Sequence, residues 1–483
     1  MLMSEKKGNQ PGKKSPKSRI RWDRLIIAGA VVLIPAALCI WGISSVIGMF
    51  TSRPASENGA SQTSASGSDQ VQAKQKNSQK KTACKPEDGY DKCFTFTGVG
   101  DNLIHETLFE GDEEYKQKRD FSVFYENIAP YMQNSDLAYI NFETLCAGDE
   151  FGFSGYPDFN APKEIIDALD DAGLNWFSLA SNHCLDRYPE GLLAELKDIE
   201  QNHTGVTYTG VYSSQENSQK PVILDINGIK VGLATFAYGL NGRDKPEGYE
   251  WMIDTFQDNY GVIDYDLLDK RMADLTANSD IQIVSMHWGT EYQTEPSDLQ
   301  MQMAQYVADR GADVIIGTHP HVIQPVNYLT PDGSTLKTSE QTTAPAAAES
   351  TDSQSTEHSA AQTANKPVLV YWSLGNFISN QADLPTMVGG MAQFQVNLNS
   401  KTGDILITDP TFTPTIPWYD SGDHNFKGTT IAEYTDELAA THGLTAEGHD
   451  MTLNAVKNHV TNIVGQPEGI EIILDPNSTK LKK

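Results

Sequence analysis

Cysteine is scarce in this chain, with five in 483 residues. That is too few for a scaffold built on disulfides. Basic residues are also short, 36 Lys and Arg against 64 Asp and Glu, for a net charge of -28. So acidic a chain lacks the electrostatic footprint of a protein whose main partner is duplex nucleic acid. No internal repeat is visible. Apolar residues are not lacking: 39% of the chain, with 17 Phe, 19 Tyr and 7 Trp, can bury a large core and exclude a wholly disordered protein. The length allows two to four domains, or one large domain with tails.

The charge is unevenly spread. Residues 1–24 hold eight Lys and Arg (Lys6, Lys7, Lys13, Lys14, Lys17, Arg19, Arg21 and Arg24) against Glu5 and Asp23. The next 26 residues, Leu25 to Phe50, carry no charge. About 20 apolar residues cross a bilayer, and Pro35 is tolerable in a membrane helix. A cleaved signal peptide has an apolar stretch of only about 7–15 residues, so this run reads as an uncleaved transmembrane helix. Cys39 within it reads as a lipid-facing side chain. The preceding basic cluster puts residues 1–24 in the cytoplasm and the chain after Phe50 outside the cell. Residues 51–83, rich in Ser, Gln, Asn and Lys, read as a disordered extracytoplasmic linker. A second polar, low-complexity stretch at about 339–365 interrupts a patterned region and reads as a disordered insert.

From Cys93 onward strands and helices alternate, which argues for an α/β fold with buried, mostly parallel pairing. Strands are expected at Phe94–Val99, Leu137–Phe142, Trp176–Leu179, Ile281–Met286, Val314–Ile316, Val322–Val326, Val368–Trp372, Met391–Val396 and Ile405–Ile407. Val222–Ile226 and Lys230–Phe236 flank Asn227-Gly228, a strong hairpin signal. Helices are expected over Phe121–Tyr131, Pro162–Ala172, Pro189–Ile199, Tyr265–Leu275 and Ser297–Asp309. The later strands lack intervening helices, so the second half should be more antiparallel. Two sheets face to face with helices outside would fit. Ile431–Ile463 looks helical and reads as an appendage beyond a main domain of residues 84–430.

Polar residues gather where strands end, which is where α/β folds bind ligands. Asp101-Asn102, Asn141 and Glu143, Ser181-Asn182-His183, His287, and His319-Pro320-His321 each follow an expected strand. Taken singly, most of these have plainer readings: a turn, a helix cap, a solvated strand end, a core histidine. His319-x-His321 is the exception. In an extended segment this spacing turns both imidazoles to one side, a usual way to give one metal two nitrogen donors.

The joint pattern resembles the calcineurin-like metallophosphoesterases, and in more detail the CapA (PgsA) family of capsule and poly-γ-glutamate synthesis proteins. The phrases that carry the likeness are Gly100-Asp101, Asn141-Phe142-Glu143, Ser178 to His183, Met286 to Tyr292, Gly317 to His321 and Ser373 to Phe377. The resemblance implies a four-layer αββα sandwich and one or two divalent ions, with Mn, Zn and Fe not distinguished. It implies Asp101 and His321 as ligands of a first metal and Glu143 as the bridging carboxylate. Asn182, His287 and His319 would hold a second metal, and His183 would be the acid that protonates a leaving group. Asn102, Asn141, Glu291 and Asn376 fall at the site's periphery. The phosphoesterases carry a histidine two residues after the first Asp. Here that position is Leu103, which cannot bind a metal, and His105 lies two residues further on.

The expected function is a membrane-anchored extracytoplasmic protein of capsule polymer synthesis or export. Its expected partners are the membrane, a membrane-bound polymer ligase with export subunits, and an anionic polymer; no nucleic acid is expected. The other readings are a surface metallophosphatase or nucleotidase unrelated to capsule, and a non-catalytic scaffold on a degenerate metal site. Cys84 and Cys93 are close enough in sequence for a local bridge. Cys146 and Cys184 each follow a site segment and would lie near one another. Four free thiols are the alternative.

Overall fold

A computed structural model describes residues 83–110, 118–331, 333–334, 366–422 and 425–478. The basic tail, the uncharged run 25–50, the linker to residue 82 and the insert 339–365 lie outside the described residues. No helix among those described is long and apolar enough to cross a membrane.

The architecture is α/β. The strands are β1 (Lys92–Asn102), β2 (Leu137–Asn141), β3 (Trp176–Ser178), β4 (Thr207–Thr209), β5 (Val222–Ile226), β6 (Ile229–Ala237), β7 (Ile281–His287), β8 (Val314–Thr318), β9 (Val326–Leu329), β10 (Val368–Tyr371), β11 (Asn376–Ile378), β12 (Gly389–Asn399), β13 (Asp404–Trp418), β14 (Lys427–Thr430) and β15 (Glu471–Ile472). The longer helices are α1 (Glu164–Asp171), α2 (Tyr188–Asn202), α3 (Tyr265–Asn278), α4 (Asp298–Ala308) and α5 (Leu453–Val464).

Among the described residues the strands form two sheets. One runs β14-β13-β12-β1-β2-β3-β4, with β11 on β1 and β15 on β13; the other runs β5-β6-β7-β8-β10-β9. β1 to β4 are mutually parallel, as are β6, β7, β8 and β10. The antiparallel strands of the second half do not make a sheet of their own. β12, β13 and β14 extend the first sheet beyond β1, and β9 closes the second beside β10.

Side chains of the two sheets meet. The Tyr139 hydroxyl is 2.7 Å from Ser285 Oγ, Ser178 Oγ is 3.0 Å from the same atom, and Thr209 Oγ1 is 2.6 Å from Thr235 Oγ1. These hydroxyls satisfy one another in an otherwise apolar interior that includes Phe96, Tyr139, Trp176, Phe177, Val231 and Ile283. Helices α3 and α4 contribute Leu268, Met272, Leu275, Met303 and Val307 to a second cluster against β7, β8 and β10. Ser297 starts α4 with a capping box, accepting from Gln300 N while the Gln300 side chain returns to the Ser297 backbone. Residues after 430 join the main core through Ile431, Tyr434, Val456, Val460 and Ile473.

Three expected elements differ in extent. Phe121–Tyr131 is two short helices, Ser122–Tyr125 and Ala129–Asn134, because Pro130 has no N–H to continue the first and suits the opening turn of the second. Val322–Val326 is not a strand; β9 starts only at Val326, after Pro325. β13 runs far past Ile407 despite Pro410, Pro414 and Pro417, residues that argue against an interior strand. Asp409 is in the left-handed region (φ 51°), and the register with β12 slips between Gln393 and Gln395. Such a bulge absorbs an irregular strand. The Asn227-Gly228 hairpin forms as expected, with both residues at positive φ.

Candidate metal centre

Parallel pairing puts the carboxyl ends of β1, β2 and β3 together on one sheet, and those of β6, β7 and β8 on the other. The two sets of ends meet. Asp101, ending β1, accepts from the His319 backbone N–H at 3.3 Å through Oδ1, and its Oδ2 lies 3.1 Å from His321 Nδ1. Oδ1 also accepts from Asn141 Nδ2 at 2.8 Å. Residues from opposite sheets, more than 200 positions apart in sequence, thus share one buried cluster.

Glu143 is its centre. Oε1 lies 3.7 Å from His287 Nε2 and 3.8 Å from His321 Nε2. The atom is buried and has no hydrogen-bond partner. His319 Nδ1 is likewise buried and without one. On the far side of Glu143, Asn182 Oδ1 is 2.8 Å from His287 Nε2. Two buried groups offer ligand atoms within 4.8 Å of one another: Asp101 with Glu143 and His321, and Glu143 with His287 and His319. A third joins exposed Glu291 to His319 and His321. These groups could hold a metal ion. Orphaned buried polar atoms are costly in a finished core, and two within one group of candidate ligands fit a shared cation.

His319 and His321 reach the cluster by a route the spacing did not foresee. The segment is not extended: His319 has φ 93° and His321 φ 58°. Left-handed backbone at non-glycine residues costs energy and gathers at functional sites. The Trp288 N–H donates to Thr318 O and the Tyr292 N–H to Pro320 O, so the loops after β7 and β8 brace each other.

Burial and the neighbouring imidazoles push the pKa values of His287 and His319 well below the usual histidine range. Both rings are therefore neutral, with a lone pair to give. Burial also acts against a charged His321, but Glu143 and Asp101 outweigh it and hold that ring up at about 9. Glu143 is raised well above the carboxylate range by burial, with His321 opposing and Asp101 and Glu291 adding to the rise. Two carboxyl groups and three imidazoles thus share one buried cluster, and a cation bound there would take the place of the protons that Glu143 and His321 hold.

His183 stands beside these groups and belongs to none of them. Its Nδ1 is 2.8 Å from Asp186 Oδ2, and Phe159 packs edge-on against the ring at 4.7 Å. Asp186 also accepts from the Phe159 N–H at 2.7 Å and from Arg243 at 2.9 Å. Asn241 Nδ2 lies 3.3 Å from His183 Nδ1, and Asn241 Oδ1 accepts from Asn182 at 2.9 Å. Asn376 Oδ1 is 3.1 Å from His321 Nδ1. Asn102 turns away: its Oδ1 accepts from the Tyr125 hydroxyl at 2.7 Å. His105 stays at the backbone, with Nδ1 3.2 Å from Leu103 O and 3.3 Å from the Asn380 N–H. Leu103 is buried in the core. Sequence reasoning missed Asp186, Asn241, Arg243 and Tyr238, whose ring lies 4.5 Å from that of His319. Asp186, three residues after His183, had a readable signal. Tyr238 follows the end of β6, which the same strand-end argument could have reached. The other two lie on an irregular loop.

The model of the bacterial capsule synthesis protein family PGA_cap matches residues 95–381, a span that holds every residue of this cluster. The chain belongs to that family. The Bacillus anthracis "Capsule biosynthesis protein CapA" is 23% identical over 315 residues, covering 63% of this chain and 64% of the relative. The "PGA biosynthesis protein CapA" of Bacillus subtilis (strain 168) is 22% identical over 322 residues, covering 66% and 71%. This chain thus spans somewhat under two thirds of the B. anthracis relative's length. Among solved structures, a hypothetical protein from Thermus thermophilus aligns over 66% of this chain and 99% of its own, at 14% identity and a TM-score of 0.34. The cysteines are divided: Cys84 and Cys93 form a disulfide, while Cys146 and Cys184 are buried free thiols.

Proposed function

We propose that this family member is anchored in the cell membrane by residues 25–50, with its folded part outside, and works in synthesis or export of a poly-γ-glutamate-type capsule polymer through a metal-dependent, hydrolase-type site. The relatives' names support the capsule role, and the basic flank of the uncharged run supports the orientation. The two-sheet core with flanking helices is consistent with the four-layer αββα sandwich of the metallophosphoesterase type. A membrane-bound polymer ligase and its export subunits are the partners this reading calls for.

The observation that carries the site is Glu143 Oε1, buried, without a hydrogen-bond partner and nearly equidistant from His287 and His321. In this reading Glu143 bridges two positions. Asp101 and His321 belong to the first, and Asn182, His287 and His319 to the second. A divalent cation there supplies Lewis acidity and acidifies water near neutral pH. The protein's own part is orientation and proton transfer. Asp186 fixes His183 through Nδ1, which leaves Nε2 to give a proton to a departing group. Arg243 holds Asp186 from behind, so the pair keeps its geometry as the proton moves.

Complementation of a deletion strain tests this reading. Wild type should restore cell-associated anionic polymer, and Glu143→Gln and His183→Ala should each leave at most about a hundredth of it. Full restoration by both would remove the catalytic role. Phosphomonoester and phosphodiester turnover without any polymer defect on deletion would favour a surface phosphatase instead.

A further inference from the structure

Resting on the metal-centre reading, we infer that Asn376 supplies an amide oxygen to the first cation position, in place of the imidazole that Leu103 cannot provide. The amide is locked with its oxygen inward. Asn376 is fully buried, and its Nδ2 faces three acceptors: His321 O at 3.3 Å, Gln381 Oε1 at 3.0 Å and Thr386 O at 2.9 Å. An amide nitrogen has two protons to give, so this side of the group is saturated. The oxygen is left on the side of Asp101 and His321.

The backbone is held as firmly. β11 pairs with the end of β1 so that Asn376 stands opposite Asp101. The Asp101 N–H donates to Gly375 O at 2.8 Å. A Cβ on Gly100 would lie 1.9 Å from Gly375 O, and one on Gly389 would lie 2.1 Å from Asn376 O. Side chains at either position would push β11 off its seat. Two glycines thus leave room for β11 to pair where Asn376 stands opposite Asp101.

Two oxygens converge on one ring nitrogen. Asn376 Oδ1 and Asp101 Oδ2 are each 3.1 Å from His321 Nδ1, within hydrogen-bond reach. A cation taken up there in place of a proton would meet all three residues. With Asn376 included, the first position offers oxygen from Asp101, Glu143 and Asn376 and a single imidazole. The second offers two imidazoles beside oxygen from Glu143 and Asn182. Carboxylate and carbonyl donors suit Mn2+ and Mg2+, whereas imidazole suits Zn2+. The two positions therefore differ in character, the first being the harder.

Calorimetric titration of the full-length protein with Mn2+ and with Zn2+ tests this, alongside Asn376→Ala, Asn376→Asp and His319→Ala. Asn376→Ala should weaken Mn2+ at one position by more than about tenfold and leave the other unchanged. His319→Ala should do the reverse. Asn376→Asp keeps an oxygen donor and should retain Mn2+, which keeps the test sharp if the alanine variant fails to fold. As a second readout, Mn2+ electron–nuclear double resonance on Asn182→Asp protein carrying side-chain 13C-asparagine should show a coupled amide carbon that Asn376→Asp, added to it, removes. Undiminished Mn2+ binding by folded Asn376→Ala, or a coupling unchanged in Asn376→Asp, would overturn the assignment and leave the metal-centre reading standing. No uptake of either ion by wild type would overturn that reading itself.

Discussion

Glu195 shows how far burial moves a single group in this fold. It lies on α2, is 2% exposed, and accepts from the Cys146 N–H at 2.7 Å. Burial raises its pKa to about 8, the Cys146 hydrogen bond opposes the rise, and Asp198 adds to it. In the unfolded chain an ordinary Glu loses its proton near pH 4.3. Between there and pH 8 the folded state keeps a proton that the unfolded state has lost. Stability from this group is therefore complete at acid pH and falls as pH rises across that window. Glu195→Gln, the neutral isostere, should match wild type near pH 4 and exceed it by about 5 kcal/mol at pH 8. Urea unfolding at both pH values measures this, and equal wild-type and variant stability at pH 8 would refute it. The residue matters to the site because Cys146 lies three residues after Glu143 on the segment that follows β2.

Elements place the site residues, and their close approaches leave little slack. The contact between Gly100 on β1 and Gly375 ahead of β11 admits no methyl group. Gly100→Ala should cost about 3 kcal/mol of stability and weaken metal uptake, because Asp101 and Asn376 move with those strands. Thermal unfolding together with metal titration checks both effects; a variant with wild-type melting and wild-type affinity would show the contact to be soft. This scale also decides what could be read from sequence. The hairpin at Asn227-Gly228, the α/β alternation and the polar strand ends were legible because each depends on local pattern. β13 was not, because its prolines disguise a bulged strand whose pairing is decided by β12 and β14. β11 and β15, of three and two residues, are too short for periodicity and owe their conformation to β1 and β13. His319 and His321 were legible as a pair but not in conformation: their left-handed backbone answers to the loops around them. Asn376 could be seen at the periphery, but its locked amide depends on three acceptors that only the folded chain assembles.

At the scale of the molecule, one feature unites the sequence and the fold. The chain is acidic, at net -28, and its densest buried set of carboxylates and imidazoles lies where the parallel strands of two sheets end. Long-range repulsion of a polyanion by such a surface is screened beyond about 8 Å at physiological salt. On the proposed function, an anionic polymer would be attracted where a cation bound at those strand ends. The account therefore stands or falls on the cation. Elemental analysis of the purified full-length protein, beside Glu143→Gln, is the direct measurement. The account predicts at least one equivalent of a divalent metal in wild type and its loss in the variant. A metal-free wild-type protein that still restores capsule, and is no more stable with Mn2+ or Zn2+ than without, would contradict it.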